Sequence, residues 1–361
     1  MRVALHAGQL LQPVPGGIGR YARAMLQHLP ATGVDAVAFA AGPRPGGLPP
    51  SVRYVDLGWP RGSLRYETWH RLQRPTVRVR ADLVHAPSLA IPPVRGRPLV
   101  VTVHDIAFVR LPRATTRRGV AFHRRGLQLA REHAELVISP SKFTRDELLR
   151  EGFDADQLRI APLGCDPPEV VDESMVDTLI GMIGVRSPFV LAVGTVEPRK
   201  DLGVAADAIT RLRATRDVTL VIVGPQGWGE VGGLDRPGVR RLGPVRWEIL
   251  DALYRRARAC CLPSTYEGFG LPAAEALARG CPVVASGGGA MAEIVGDAGL
   301  LCPPGDVEGF ADALGRIIDD DALHADLARR GPPRAAQFSW SSSATRHADV
   351  FREAVDRHRS R

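Results

Sequence analysis

Short, nearly continuous apolar runs alternate along this chain with segments whose apolar residues recur every three or four positions. In the first half the runs are Arg2–Ala7, Val34–Ala40, Val52–Val55, Leu83–His85, Pro98–His104, Leu136–Ser139 and Leu158–Ala161. A run without polar alternation marks a strand covered on both faces, as in a parallel sheet. The periodic segments lie between them. One begins at Ile18, after a Gly- and Pro-containing loop, and places Tyr21, Ala22, Met25, Leu26 and Leu29 on one face. Others are Ser63–Arg74, the long basic stretch Arg113–His133, and a helix opened by Pro140 and Ser141 that runs to Arg150. Residues 166–187 read as a connection containing Pro and one helix.

The alternation then restarts. Phe189–Val193, Val218–Val223, Cys260–Leu262, the PVVAS run ending at Ser286, and Gly299–Cys302 read as strands. Asp201–Arg213, Glu248–Arg258, a helix from Leu271 to Gly280, Asp306–Asp319, Ala322–Arg330 and Trp340–Arg357 read as helices. Strands separated by helices, twice over, predict an α/β chain with two Rossmann-like parallel sheets. Ligands of such sheets sit at the carboxyl ends of the strands.

Composition adds two constraints. With 45% apolar and 24% charged residues the chain is globular. Its 47 basic residues exceed its 39 acidic ones, for a net charge of +8, which suits anionic partners such as sugar nucleotides, phospholipid headgroups or nucleic acid. A bias toward arginine in the coding sequence accounts for the same excess. The five cysteines show no C-x-x-C spacing and lie mostly in apolar runs, so they are expected to be reduced core residues of a cytoplasmic protein. The start MRVALHAG turns polar too soon for a signal peptide, and no apolar run reaches membrane-spanning length.

Candidate chemistry concentrates after Cys260–Leu262. The turn Gly268–Phe269–Gly270 leads into a helix at Leu271–Pro272, with Glu267 in the turn and Glu275 in the helix, seven residues between them. A helix N-terminus offers free N–H groups and partial positive charge to an anion or a sugar hydroxyl. Glu275 beside that mouth can accept two hydrogen bonds from a vicinal diol such as ribose. The plainer reading is a strand–turn–helix unit with solvated acids.

This string closely resembles the signature of the retaining glycosyltransferases of family 4, and the resemblance extends over nearly the whole chain. It implies the GT-B fold, two Rossmann-like parallel-sheet domains facing across a cleft. The expected division is an acceptor-side domain at 1–165, a linker at 166–187, a nucleotide-sugar domain at 188–340, and a last helix at 341–361 crossing back to the first domain. It also implies transfer of a hexose from a nucleotide sugar, with Glu275 on the ribose. Glu267 and the backbone of Gly268, Phe269, Gly270 and Leu271 would hold the sugar hydroxyls.

Gly194–Asp201, GTVEPRKD, follows a strand and precedes a helix. Arg199 and Lys200 there can neutralise a diphosphate whose charge grows as the glycosidic bond breaks. The string resembles the family's phosphate clamp, with Lys200 the firmest match. Thr195 stands where much of the family has an arginine, so the second cation is either Arg199 or a residue elsewhere. The alternative is a basic turn facing solvent, which is unfavourable at a helix start.

Gly16 and Gly17, in PGGIGRY, match a family string whose bare backbone meets the donor phosphates or the transferred sugar. The residues Gly17 to Ala22 also satisfy G-x-G-x-x-A, which keeps an NAD-dependent oxidoreductase in view. The long gap after the first strand and the missing acid after the second argue against it. His104–Asp105 matches the histidine that the family places near the donor anomeric carbon. Because a front-face internal-return mechanism is favoured there, His104 is assigned positioning and electrostatics, and Asp105 the orientation of His104 or of a sugar hydroxyl. Ser286–Gly289 is a second loop whose N–H groups can approach phosphate. Asp154–Ala155–Asp156 has the D-x-D form of metal-dependent enzymes but lies before a strand, so it reads as a turn. No metal and no cofactor beyond the donor are expected.

Arg110–Arg131 contains eight cationic or potentially cationic residues interleaved with Phe122, Leu127 and Leu129. A peripheral contact with an anionic membrane, an acidic-acceptor site and a solvated helix face are all open here. A non-catalytic binder of membrane or nucleic acid would leave the paired glutamates and the PRK string unexplained. The sequence therefore favours a hexosyltransferase that does not bind nucleic acid. Its acceptor is a glycan, a lipid-linked molecule or a small molecule, and its expected location is the cytoplasm or the inner face of the membrane. The strings GIGRY, HDIAF and EPRKDL resemble the mannosyltransferase-like branch, which favours GDP-mannose over a UDP-sugar.

Overall fold

The computed structural model describes residues 1–112, 116–168, 172–186 and 188–361. Its elements in chain order begin with β1 Arg2–His6, α1 Gly16–His28, β2 Asp35–Ala40, β3 Arg53–Asp56, α2 Gly62–Leu72, β4 Leu83–Ala86 and β5 Leu99–Thr102. There follow α3 Ala107–Arg110, α4 Arg117–His133, β6 Leu136–Ser139, α5 Lys142–Arg150, β7 Leu158–Ile160, α6 Glu173–Met182, β8 Phe189–Val193, α7 Leu202–Leu212, β9 Thr219–Val223 and β10 Val239–Gly243. The chain closes with α8 Trp247–Arg256, β11 Ala259–Leu262, α9 Leu271–Ala278, β12 Val283–Ser286, α10 Met291–Val295, β13 Gly299–Cys302, α11 Val307–Asp319, α12 Asp321–Ala335 and α13 Trp340–Arg359.

Contacts divide the chain into two units. The first holds residues 1–112, 117–164 and 340–361, and the second holds the described part of 165–339. The first contains a seven-stranded sheet in the order β3-β2-β1-β4-β5-β6-β7, and the second a six-stranded sheet in the order β10-β9-β8-β11-β12-β13. Every ladder is parallel. The apolar runs form these strands because both faces are covered; β4, β5, β6, β11 and β12 are buried throughout. In each sheet the strand order reverses at one place, between β1 and β4 and between β8 and β11. At such a switch point the loops part and leave room for a ligand.

Side-chain caps fix several helix starts. Ser141 accepts from Thr144 N at 3.1 Å, Asp306 from Gly309 N at 2.9 Å, and Asp320 from Ala322 N and Leu323 N at 2.9 Å. Each cap contributes about 1 kcal/mol. Asp154 accepts from Asp156 N in a short turn before β7, so the D-x-D string is a turn device.

Several expectations need correction. The first helix starts at Gly16, because the Pro15 carbonyl already accepts from Gly19 N at 3.1 Å; Gly16 opens it at φ +61°, Gly17 is helical, and both are exposed. The long basic helix is α4, as expected of that stretch, while Arg110 belongs to the short α3 before it and Arg113 lies outside the described residues. In α4 the apolar Leu127 and Leu129 are buried, while Arg110 pairs with Glu147 at 2.5 Å and Arg125 donates to the His70 carbonyl at 3.0 Å. Leu127 and Leu129 of that stripe thus belong to the unit's own core. Strand β10 was hidden in VRRLG, a half-exposed edge strand with no apolar run. Of the connection at 166–187, residues 169–171 and Ser187 lie outside the described residues. Its helix α6 packs on α8 in the second unit, where Arg256 pairs with Glu173 and Asp177, both at 2.7 Å. Helix α12 continues through Pro332 and Pro333 to Ala335.

Candidate functional site

At the switch point of the second sheet, the segment after β8 meets the segment after β11. Thr265 N and Oγ1 both donate to the Arg199 carbonyl, at 3.0 and 3.2 Å, tying the two segments together. Arg199 Nη1 donates to Glu267 Oε2 at 3.2 Å and to the Tyr266 carbonyl at 3.1 Å. Lys200 Nζ donates to the other oxygen, Oε1. The buried Glu197 receives Arg199 from the far side, at 2.8 Å from Nη2 and 3.1 Å from Nε. Two carboxylates and two cations thus form one mostly buried network.

Burial alone would raise the Glu267 carboxyl. The Lys200 ammonium and the Arg199 guanidinium outweigh it, helped by a hydrogen bond from Ser264, and hold it at about 2. Glu267 is therefore a carboxylate at neutral pH, able to accept hydrogen bonds and unable to act as a general acid. Its backbone is equally fixed. Ala290 N donates to the Glu267 carbonyl at 2.8 Å, and a Cβ on Gly289 would lie 2.3 Å from that oxygen and 2.6 Å from Glu267 N. Glycine at 289 thus lets the loop after β12 close over Glu267.

Two N–H groups of the Ser286–Gly289 loop, where an approach to phosphate was expected, are engaged within the unit. Gly287 N donates to the Cys302 carbonyl at 2.8 Å and Gly288 N to Ser286 Oγ at 3.3 Å. Its glycines serve backbone packing against the loop after β11.

From that loop, Gly268, Phe269 and Gly270 run into α9, where Leu271 is the first residue. Gly270, at φ +100°, is the cap. Glu275 sits in the second turn, almost wholly buried, and accepts from Tyr254 Oη at 2.9 Å. Tyr254 was missed in the sequence because it falls on the apolar stripe of α8. Glu197 was equally unassigned; nothing in the string EPRK shows that it grips its own arginine.

In the first unit, the glycine N-terminus of α1 follows β1. His104 follows β5, and its Nε2 hydrogen-bonds the Pro87 carbonyl at 2.9 Å, so the ring is held by backbone after β4. Burial lowers its pKa, leaving it neutral. Asp105 does not bond that ring: its Oδ1 accepts from Ala107 N at 3.0 Å and opens α3. Tyr21 packs edge-on against His104, with centroids 4.9 Å apart. Its hydroxyl bonds Thr102 Oγ1 at 2.8 Å and His347 Nε2 of α13 at 2.7 Å. Among the described residues no group of three His, Cys, Asp or Glu is placed to hold a metal ion.

Residues 15–169 match the family described as Glycosyltransferase Family 4, and residues 187–320 match Glycosyl transferases group 1. The chain belongs to glycosyltransferase family 4. It is a hexosyltransferase on the GT-B plan of two Rossmann-like domains. It is 30% identical to the O-antigen chain mannosyltransferase B of Escherichia coli, an alignment spanning 75% of this chain and 74% of that protein. It is 31% identical to an MMP alpha-(1->4)-mannosyltransferase of Mycolicibacterium hassiacum, over 95% of this chain and 96% of the other. Among solved structures it resembles HepE of Anabaena, crystallised with UDP and glucose. That match has a TM-score of 0.76 and 22% identity over 98% of this chain and 100% of the other, and it shows the fold.

Proposed function

We propose that this glycosyltransferase moves a mannosyl group from GDP-mannose, with retention, onto a glycan, lipid-linked or small-molecule acceptor in bacterial glycoconjugate assembly. The observation that carries the site is the pairing of Arg199 and Lys200 on Glu267 at the β8–β11 switch point. Two cations held there can turn to the diphosphate and take up the charge that appears on its oxygen as the sugar leaves. Arg199, aimed at Glu267, serves as the second cation that Thr195 does not provide.

Glu275 is assigned to the donor ribose. Glu267, ionised and fixed at its backbone, accepts from the sugar hydroxyls together with the backbone of Gly268–Leu271. Gly16 and Gly17 at the N-terminus of α1, and the neutral His104, serve the transferred sugar. Asp105 acts only by fixing the turn behind His104. The choice of mannose rests on the two mannosyltransferases named above and on the strings GIGRY, HDIAF and EPRKDL.

A thermal-shift panel of GDP-, UDP- and ADP-sugars tests this reading, because a ligand that binds the native state raises its melting temperature. GDP-mannose should give the largest shift. A larger shift with UDP-glucose would overturn the donor assignment, and no shift with any nucleotide sugar would overturn the site.

A further inference from the structure

Formal charge is divided unequally between the two units. Residues 1–112, 117–164 and 340–361 carry 28 basic and 15 acidic residues, a net +13, whereas residues 165–339 carry 18 and 24, a net −6. The excess of +8 over the whole chain is thus a property of the first unit. That unit also exposes large apolar side chains in one short segment: Trp59 is 80% exposed, Leu72 66% and Leu64 45%.

Helix geometry groups Leu64 and Leu72, and Trp59 lies in the bend just before the helix. At one residue per 100°, Leu64, Thr68, Arg71 and Leu72 of α2 span an arc of about 100°, while Arg65, Trp69 and His70 turn into the core. Arg61 is the residue before the helix, Trp59 lies two residues further back, and the exposed Arg74 lies just past its end. Helix α4 runs alongside: Phe122 stacks on His70 with centroids 4.3 Å apart, and the exposed Arg118 pairs with Glu67 of α2. The nearby acids are already engaged, Glu67 by Arg118 and Asp56 by Arg61 at 3.2 Å. Arg118 of α4 therefore stands at Glu67, one helical turn from Leu64 and Arg71 of α2.

We propose that this face, with Trp59, Leu64 and Leu72 bordered by Arg61, Arg71, Arg74 and Arg118, docks on the surface of an anionic bilayer. An exposed indole on a segment that also carries exposed arginines suits the boundary between headgroups and acyl chains. A nucleic acid would engage the arginines and leave three large apolar side chains in water. The proposal is independent of the donor site: none of its residues is among those assigned to the donor.

Co-sedimentation of the full chain with vesicles tests it. Binding is expected to vesicles containing about one-third phosphatidylglycerol and not to pure phosphatidylcholine. Substituting Trp59→Ser, Leu64→Ser and Leu72→Ser together should weaken that binding about tenfold or more, since most of the inserted apolar area is lost. Arg71→Gln and Arg74→Gln should each weaken it about fivefold. All these side chains are exposed, so the melting temperature should stay at the wild-type value, which separates lost docking from lost folding. Equal affinity for neutral and anionic vesicles would overturn the proposal, as would anionic binding that ignores the triple substitution. Sedimentation velocity showing a dimer that the triple substitution dissolves would assign the face to a second copy instead. Single-stranded polynucleotide bound with the same dependence on Trp59 would assign it to nucleic acid.

Discussion

Tyr21 and His347 stand 326 positions apart and meet through a 2.7 Å hydrogen bond in the core of the first unit. Both are fully buried. The Tyr21 hydroxyl also bonds Thr102 Oγ1 at 2.8 Å, and His347 Nδ1 bonds the Ser343 carbonyl within its own helix at 2.7 Å. Tyr21 is thus the hub that ties α13 to α1 and to the end of β5, two residues before His104.

Replacing Tyr21 with Phe removes the shared partner and leaves His347 and Thr102 with fewer hydrogen bonds inside the core. Stability should fall by roughly 1–3 kcal/mol. Urea unfolding of Tyr21→Phe measures it. A wild-type midpoint and slope would mean that the hydroxyl is not the hub.

Acid stability should fail in stages. Burial lowers His6, His70 and His347 to about 4 from the ordinary 6.5. A histidine depressed in the folded state favours that state fully above 6.5, and the contribution is lost as pH falls toward 4. Glu267, depressed to about 2 from 4.5, contributes above 4.5 and loses it only as pH falls toward 2. The three histidines are in the first unit and Glu267 is in the second, so the first should loosen at the higher pH. Hydrogen exchange at pH 7 and pH 5 reads this out by segment: protection should drop earlier around α1, β5 and α13 than around β8, β11 and α9. Uniform loss in both units would contradict the staging.

What the sequence disclosed follows from range. Parallel strands buried on both faces leave unbroken apolar runs, so β1, β5, β8 and β12 were visible locally, and a turn between them can carry an unbroken motif such as Glu267 to Glu275. Strand β10 was not visible, because an edge strand covered on one side needs no apolar run. The bond from Tyr21 to His347 joins opposite ends of the chain, and no local window contains both. The neutralisation of Arg199 and Lys200 by Glu267 was hidden for the same reason: clamp and acid lie 67 residues apart and were assigned different tasks. Tyr254 was hidden because its ring obeys the helical apolar pattern and only its hydroxyl turns to Glu275.

The Glu275 carboxylate is buried and accepts a hydrogen bond from Tyr254 at 2.9 Å. Glu275→Gln keeps an acceptor for Tyr254 but replaces the charged acceptor proposed for the ribose hydroxyls with a neutral amide. Nucleoside diphosphate affinity in calorimetry should fall about tenfold or more. Unchanged affinity would remove Glu275 from the ribose site.

Turnover should survive EDTA. On the proposed reading, Arg199 and Lys200, paired with Glu267 at the switch point, turn to the leaving diphosphate and take up its charge without a metal ion. Complete loss of transfer on chelation, restored by magnesium or manganese, would show that these two cations do not suffice.

The glycines of α1 separate conformation from approach. Gly16 sits at φ +61°, in the left-handed region, so a side chain there strains the backbone whatever the ligand does. Gly19 packs on Pro15, which a Cβ would approach to 2.3 Å. Gly17 is helical and exposed, so a valine there is expected to leave the core untouched. If its bare backbone receives the transferred sugar, the added isopropyl group blocks that approach and nothing else. Gly17→Val should therefore melt near wild type and bind nucleoside diphosphate normally, because Arg199, Lys200 and Glu275 lie in the other unit. Transfer should fall by about 10²-fold from misplacement of the reacting groups. Gly17→Ala, smaller and better suited to a helix, should retain more activity than the valine variant. Measuring the melting temperature, diphosphate affinity and transfer rate for all three proteins separates the outcomes. Wild-type transfer by Gly17→Val would place this glycine outside the site, and a lowered melting temperature alongside lost transfer would make its role structural.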